Sequence, residues 1–147
     1  MKHKSVLLDE VINYLNIHED GTYVDATLGY AGHSGEVLKR LNEKGFLFAF
    51  DQDAEAIEYS KEKLSKISSN FKIIKSNFCN MKDYIDENVD GIMFDLGVSS
   101  PQLDEAERGF SFHKDAELDM RMDKSNPLNA KIVVNEYSYD KLVDIFY

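Results

Sequence analysis

The sequence has two prolines, one cysteine and no apolar run long enough to cross a bilayer. So little proline, with eight glycines in 147 residues, excludes collagen-like and low-complexity chains. The lone Cys79 leaves no intrachain disulfide and fits a reducing compartment. The N-terminus lacks the charged-then-apolar pattern of a signal peptide. Basic residues are also few: 17 Lys+Arg stand against 27 Asp+Glu. That balance opposes a polyphosphate partner over most of the surface, because affinity for a nucleic-acid backbone comes mainly from Lys and Arg. These absences predict an acidic, cytoplasmic protein with no membrane partner. The hydrophobic content, 43%, supplies the core of one ordinary domain or of part of a larger one.

Strand-like and helix-like patterns alternate along the chain. "SVLLDEVINYLN" spaces Val6, Leu7, Val11, Ile12 and Leu15 as a helix does. "TYVDATL" is β-branched and aromatic, a strand. Residues His33 to Leu41 give a helical face of Val37, Leu38 and Leu41, stopped by Gly45. "FLFAFD" is a nearly continuous apolar run, which suits a strand covered on both faces. "AEAIEYSKEKLSKI" is a helix with Ala56, Ile57, Ser60, Leu64 and Ile67 inward. "FKIIKS" is a third strand, "MKDYIDEN" a short helix or turn, and "VDGIMFDLG" a fourth strand. The order predicts an α/β fold around a mainly parallel sheet. The segment from Gly97 to Asn126 has no clear period and reads as a functional loop, with a helical turn expected near Leu118 to Met122. Pro127 is expected at the first position of a further helix, and Ser138 as the N-cap of the last.

The chemistry concentrates in "YVDATLGYAGHSGEVLKRL", where a strand gives way to a helix through Gly29, Gly32 and Gly35. In a doubly wound sheet, ligands sit at the carboxyl ends of the strands. Glycine lets backbone approach a ligand closely, and a helix N-terminus tolerates an anion. Asp51 ends the second strand at the spacing of an acidic ribose ligand, with Asp53 as the competing turn residue. Phe78, after the third strand, can pack on an adenine face or serve as ordinary core. The loop reads G-Y-A-G-H, without the G-x-G-x-x-G of dinucleotide sites, and a helix precedes the first strand. S-adenosylmethionine carries an adenosine and a methionine carboxylate but no pyrophosphate, so it suits this loop better than a nicotinamide dinucleotide does.

"HKSVLLDEVINYL", "DATLGYAGHS", "FDQD", "SNF", "DGIMFDLGVSSPQLD" and "ERGFSFHKDAELDMRMD" together resemble the RsmH (MraW) family, and the resemblance covers essentially the whole chain. It implies a Rossmann-like, class I S-adenosylmethionine-dependent methyltransferase with strand order 3-2-1-4. The implied substrate is the N4 amine of a cytidine in bacterial small-subunit ribosomal RNA, free or in the assembled small ribosomal subunit. By the resemblance, Ala31, Gly32 and His33 lie around the methionine end of the cofactor, Asp51 on its ribose, and Phe78, Asp95 and Gln102 are further contacts. The sequence departs from the family at Tyr30, where glycine is common, and at Ser5, where proline is frequent. Family members are also about twice as long, a size that suits a sheet with an inserted domain. Residues 1–147 are therefore expected to form the N-terminal part of the methyltransferase domain, with an incomplete sheet and the RNA-facing basic half elsewhere. The isolated piece is expected to be inactive, and the alternative is a cofactor-binding or self-associating fragment without catalysis.

The implied reaction is in-line methyl transfer to an exocyclic amine. Backbone carbonyls near Val98 to Ser100 are candidates to accept from that amine, with Asp95 near the sulfonium; no single catalytic residue is assigned. His33 is expected to position rather than to act as a base. His3, His18, His113 and Cys79 have no metal-site spacing, so no metal is expected. Asp115, Glu117, Asp119 and Asp123 are expected to pair with Arg108, Lys114 and Arg121, although Arg108, His113 and Arg121 are also this half's best candidates for RNA phosphate. An unpaired fourth strand is expected to form a homodimer through its edge, or to be covered by the C-terminal helix.

Overall fold

A computed structural model of the chain describes residues 5–147. The chain divides into two units, Met1–Leu96 and Gly97–Tyr147. The first holds α1 (Leu8–Leu15), β1 (Thr22–Asp25), α2 (Gly32–Leu38), β2 (Phe46–Asp51), α3 (Ala54–Ser65), β3 (Phe71–Lys75), a 3-10 helix (Phe78–Asp83) and β4 (Gly91–Met93). The four strands are all parallel in the order β3-β2-β1-β4. Both the alternation and the expected strand order are borne out.

Each element follows from its local chemistry. The continuous apolar run makes β2 a central strand, and Leu47, Phe48, Ala49 and Phe50 are all buried. On one face, Ile12, Val37, Leu38 and Leu64 from α1, α2 and α3 pack with Tyr23, Leu47 and Ala49. On the other, Val24, Phe48, Phe50 and Ile74 are covered by the chain between Phe78 and Val89. Asp53 caps α3, its Oδ1 accepting from the Glu55 N–H at 3.0 Å. Of the five α3-side residues expected inward, Ala56, Ser60 and Leu64 are buried, whereas Ile57 and Ile67 lie at the margin of that face and are half-buried.

The two sheet edges differ. The β3 edge carries Lys72 and Lys75, charges that discourage pairing with another strand. β4 has no partner beyond β1 among the described strands, and Ile92 and Phe94 are exposed.

The second unit holds α4 (Ser100–Asp104), a 3-10 turn (Ala106–Arg108), α5 (Ala130–Glu136) and α6 (Tyr139–Phe146). Ser138 caps α6 as expected. Two expectations fail. The backbone over Leu118 to Met122 is not helical: Met120 turns at φ +58 and its N–H donates to the Arg108 carbonyl at 3.0 Å, so tertiary bonds replace helical ones. The helix expected at Pro127 begins three residues later, because Asn129 caps it by accepting from the Ile132 N–H at 2.9 Å.

Gly91 marks where α1 meets the sheet. A Cβ there would lie 2.7 Å from Leu15 Cδ1 and 3.1 Å from the Tyr23 ring. Gly91→Ala is expected to lower the unfolding free energy by about 1–3 kcal/mol through overpacking, read from urea unfolding; an unchanged midpoint would show that α1 is not firmly seated.

Candidate functional site

The carboxyl ends of β1, β2 and β4 present three aspartates: Asp25, Asp51 and Asp95. Each has a separate task. Asp51 turns toward the glycine loop, and its Oδ2 accepts from the Gly29 N–H at 2.7 Å. Its Oδ1 accepts from the N–H groups of Gln52 and Asp53 at 2.8 and 2.9 Å. A carboxylate offers about four acceptor positions, so one remains, on the oxygen that faces the loop. Asp53 is the helix cap, which separates the two candidate acids at this turn.

The loop itself is bonded from below. Gly29 sits at φ +49 and Ala31 at φ +53, so the left-handed turn falls on a glycine and on the smallest chiral residue. Tyr30, which stands where the resemblance suggested glycine, is not among the left-handed residues, so its side chain brings no backbone strain. Its ring packs edge-on against Tyr59 of α3 at 5.1 Å. Two further α3 side chains hold the loop carbonyls: Ser60 Oγ donates to Gly29 O at 2.7 Å, and Lys63 Nζ to Tyr30 O at 2.9 Å. A Cβ on Gly32 would overlap the Ser5 side chain, so that position is closed to larger residues by the N-terminal segment.

His33 joins this segment to β4. It is 7% exposed. Its Nε2 lies 3.0 Å from the Val6 carbonyl, which can only accept, so Nε2 carries the proton. Nδ1 then faces the Asp95 carboxylate at 3.7 Å. The Asp95 N–H donates to Thr27 Oγ1 at 2.7 Å, tying the end of β4 to the turn after β1. One residue earlier, the Phe94 ring meets Phe78 edge-on at 5.4 Å. Phe78 is half-buried, in contact with the apolar face and partly open.

The first unit therefore brings together Ala31, Gly32, His33, Asp51, Asp95 and, through Phe94, Phe78. Gln102 belongs to the second unit, where it is buried and completes a capping box with Ser99. Its N–H donates to Ser99 Oγ at 3.5 Å, and its Oε1 accepts from the Ser99 N–H at 3.0 Å. His3 lies outside the described residues, and no cluster able to hold a metal occurs among the described ones. No helix of the described residues is long and apolar enough to cross a membrane.

The residue that sequence reasoning missed is Asp25. It is 2% exposed and accepts from Ser34 Oγ at 2.6 Å and from the Thr27 N–H at 3.0 Å. It thereby fastens α2 to the end of β1 beneath the loop. The available signal was positional, a third carboxylate at a strand end, in "YVDAT". The two arginines that are also candidates for RNA phosphate are engaged within the loop. Arg108 is 3% exposed, with Nη2 donating to the carbonyls of Arg121 and Met122 at 3.2 and 3.3 Å. Arg121 grips Asp119 with two bonds of 2.7 Å and donates to the carbonyls of Lys124 and Asn126. Both order the loop, the role expected of the acid–base pairs there. The Arg121 guanidinium in turn holds Asp119 below the usual carboxylate range.

The model of the MraW methylase family matches residues 1–147. The chain belongs to the MraW methylase family. The ribosomal RNA small subunit methyltransferase H of Mycoplasma mycoides subsp. mycoides SC is 55% identical over 99% of this chain and 49% of that relative. Its counterpart in Mycoplasmopsis agalactiae is 55% identical over 99% of this chain and 50% of its own length. The chain thus spans about half the length of the curated relatives it matches. Among solved structures, a putative rRNA-methylase from Clostridium thermocellum superposes with a TM-score of 0.59 at 30% identity, over 67% of this chain and 54% of that one. A putative methyltransferase from Streptococcus mutans, solved with SAH, gives 0.56 at 21% identity, over 67% of this chain and 56% of that one, and supports the fold alone. The fold is that of the Rossmann-like methyltransferases.

Burial pushes the Asp25 carboxyl above its ordinary value, against the lowering effect of its bonds from Ser34 and Thr27. The folded state then binds more protons than the unfolded chain between the two values, so stability falls as pH rises through that window. Unfolding by urea at a series of pH values is expected to show this decline beginning near 3.8, the ordinary value, and Asp25→Asn is expected to flatten it. An equal slope in both proteins would mean that Asp25 is not the group responsible.

Proposed function

We propose that the whole protein transfers a methyl group from S-adenosylmethionine to the N4 amine of a cytidine in small-subunit ribosomal RNA, and that residues 1–147 supply its cofactor-binding part. The observation that carries this reading is the closure of the Gly29–His33 loop onto two strand-end carboxylates, Asp51 and Asp95, in a member of the MraW methylase family.

The residues suit that cofactor. The acceptor position left on Asp51 Oδ2 fits a ribose hydroxyl. The Asp95 carboxylate, with His33 Nδ1 3.7 Å away, is an acceptor that suits the cationic groups of the methionine end. Phe78 supports an adenine face from its half-buried position beside Phe94. S-adenosylmethionine supplies an electrophilic methyl group on a sulfonium. The protein's own work is to hold that group in line with the amine and to accept from the amine as positive charge develops. Ser99 is committed to capping α4, with its carbonyl accepting from the Leu103 N–H at 3.2 Å. Of the carbonyls from Val98 to Ser100, that of Val98 precedes the capped turn, and on this reading it accepts from the amine. Gln102 acts on this reading by fixing the capped turn.

Calorimetry with S-adenosylmethionine tests the proposal. Asp51→Asn is expected to weaken binding by about 10- to 100-fold, the worth of a charge-assisted hydrogen bond. Equal affinity of the two proteins would remove Asp51 from the site. Residues 1–147 alone are expected to give no turnover on small ribosomal subunits.

The exposed β4 edge favours a second reading for this chain in isolation, self-association without catalysis. Sedimentation is expected to show a dimer that Ile92→Lys converts to monomer; a monomeric unsubstituted chain would dismiss this reading.

A further inference from the structure

The motif "RGFSFHK", Arg108 to Lys114, is pinned at both ends. At one end the buried Arg108 is bonded to two carbonyls, and its guanidinium carbon lies 5.9 Å from the centre of the Phe110 ring. Gly109 turns at φ +69, where a Cβ would overlap the backbone of Glu117 and Asp119. At the other end Lys114 Nζ donates to the Asp104 carbonyl at 2.9 Å. Between these anchors Ser111 Oγ accepts from the His113 N–H at 3.2 Å. The segment is thus held in place, yet Phe112 is 94% exposed. Its ring rests against the His113 imidazole, centroids 4.7 Å apart and planes inclined at 36°.

An aromatic ring on a pinned segment, backed on one face and open on the other, is the arrangement that takes a flat partner. From Ser111 to Glu117 it is the one large apolar side chain. The surrounding Asp115 and Glu117 carboxylates repel phosphate. A nucleobase face carries no charge, and stacking on an aromatic side chain accepts any base because every base has a π-face. In duplex RNA the base faces are already stacked, so the ligand must be single-stranded or splayed out. We propose that Phe112, backed by His113, is a stacking platform for an unpaired RNA base. This rests on the reading that the protein acts on RNA, and it assigns to "RGFSFHK" a contact that the cofactor crevice does not use.

The chain contains no tryptophan, so Phe112→Trp places a single emitter at the platform. The free variant is expected to show the red-shifted emission of a solvated indole. A single-stranded oligoribonucleotide is expected to quench it, and the same sequence as a duplex to quench it far less. Tyr14→Trp, at an exposed position on α1, serves as the collisional control and is expected to respond to neither. Phe112→Ala is expected to weaken binding of a labelled single strand by roughly 5- to 100-fold, and Phe112→Trp to retain it. Blue-shifted emission from the free Phe112→Trp protein would mean that protein covers the ring, and would overturn the proposal. Equal quenching of the two tryptophans, or unchanged affinity of Phe112→Ala, would also overturn it. If the unsubstituted chain binds RNA while the platform is silent, stacking alone is refuted. If it binds no RNA, the platform is refuted, while the reading of residues 1–147 as the cofactor-binding part stands on its own calorimetric test.

Discussion

The bond from the Gly29 N–H to the Asp51 carboxylate is the constraint on which the rest of the loop depends. It fixes the turn after β1 to the end of β2, two segments 22 residues apart in the chain. The carboxylate cannot swing, because the backbone of its own turn occupies the other oxygen. The loop carbonyls are held in the same way by Ser60 and Lys63. A left-handed turn on Ala31 costs of order 1–2 kcal/mol, and this set of bonds is what makes it sustainable. The loop is therefore preorganised by side chains packed beneath it.

A second layer of the same design lies beneath. Asp25, buried and bonded to Ser34, joins α2 to β1, while Thr27 accepts from the backbone of Asp95 and joins β1 to β4. His33 completes the ring by meeting the N-terminal segment at Val6 and the end of β4 at Asp95. Three strand ends, two helices and the chain start are thus connected through short polar side chains. Such a network is well satisfied where it is buried, which is the condition under which buried polar groups stabilise rather than cost.

Legibility from sequence followed the range of the interactions. Helix α3, strand β2 and the cap at Ser138 were readable because periodicity, apolar runs and capping residues act over a few positions. The start of α5 differs from the expectation at Pro127 because Asn129 is an equally competent starting signal, and its side-chain bond to the Ile132 N–H decides between them. The helical turn expected near Leu118 failed because Arg108, ten or more residues away, takes the backbone bonds that a helix would have used. The same contact makes Arg108 an internal fastener, whereas Arg121 is engaged locally, by Asp119, Lys124 and Asn126.

The amino-acid sequence by itself determined the alternation of strands and helices, the parallel sheet, the glycine loop and the family, because these depend on local pattern and on motifs contiguous in the chain. The tertiary structure decided which of two neighbouring aspartates holds the loop and which caps a helix, and that Asp25 lies buried beneath it. It also decided that Arg108 turns inward while Phe112 turns outward. Those outcomes depend on what lies across the fold from each side chain. Hydrogen bonds a few ångströms long between residues distant in the chain leave no periodic trace in the order of the amino acids.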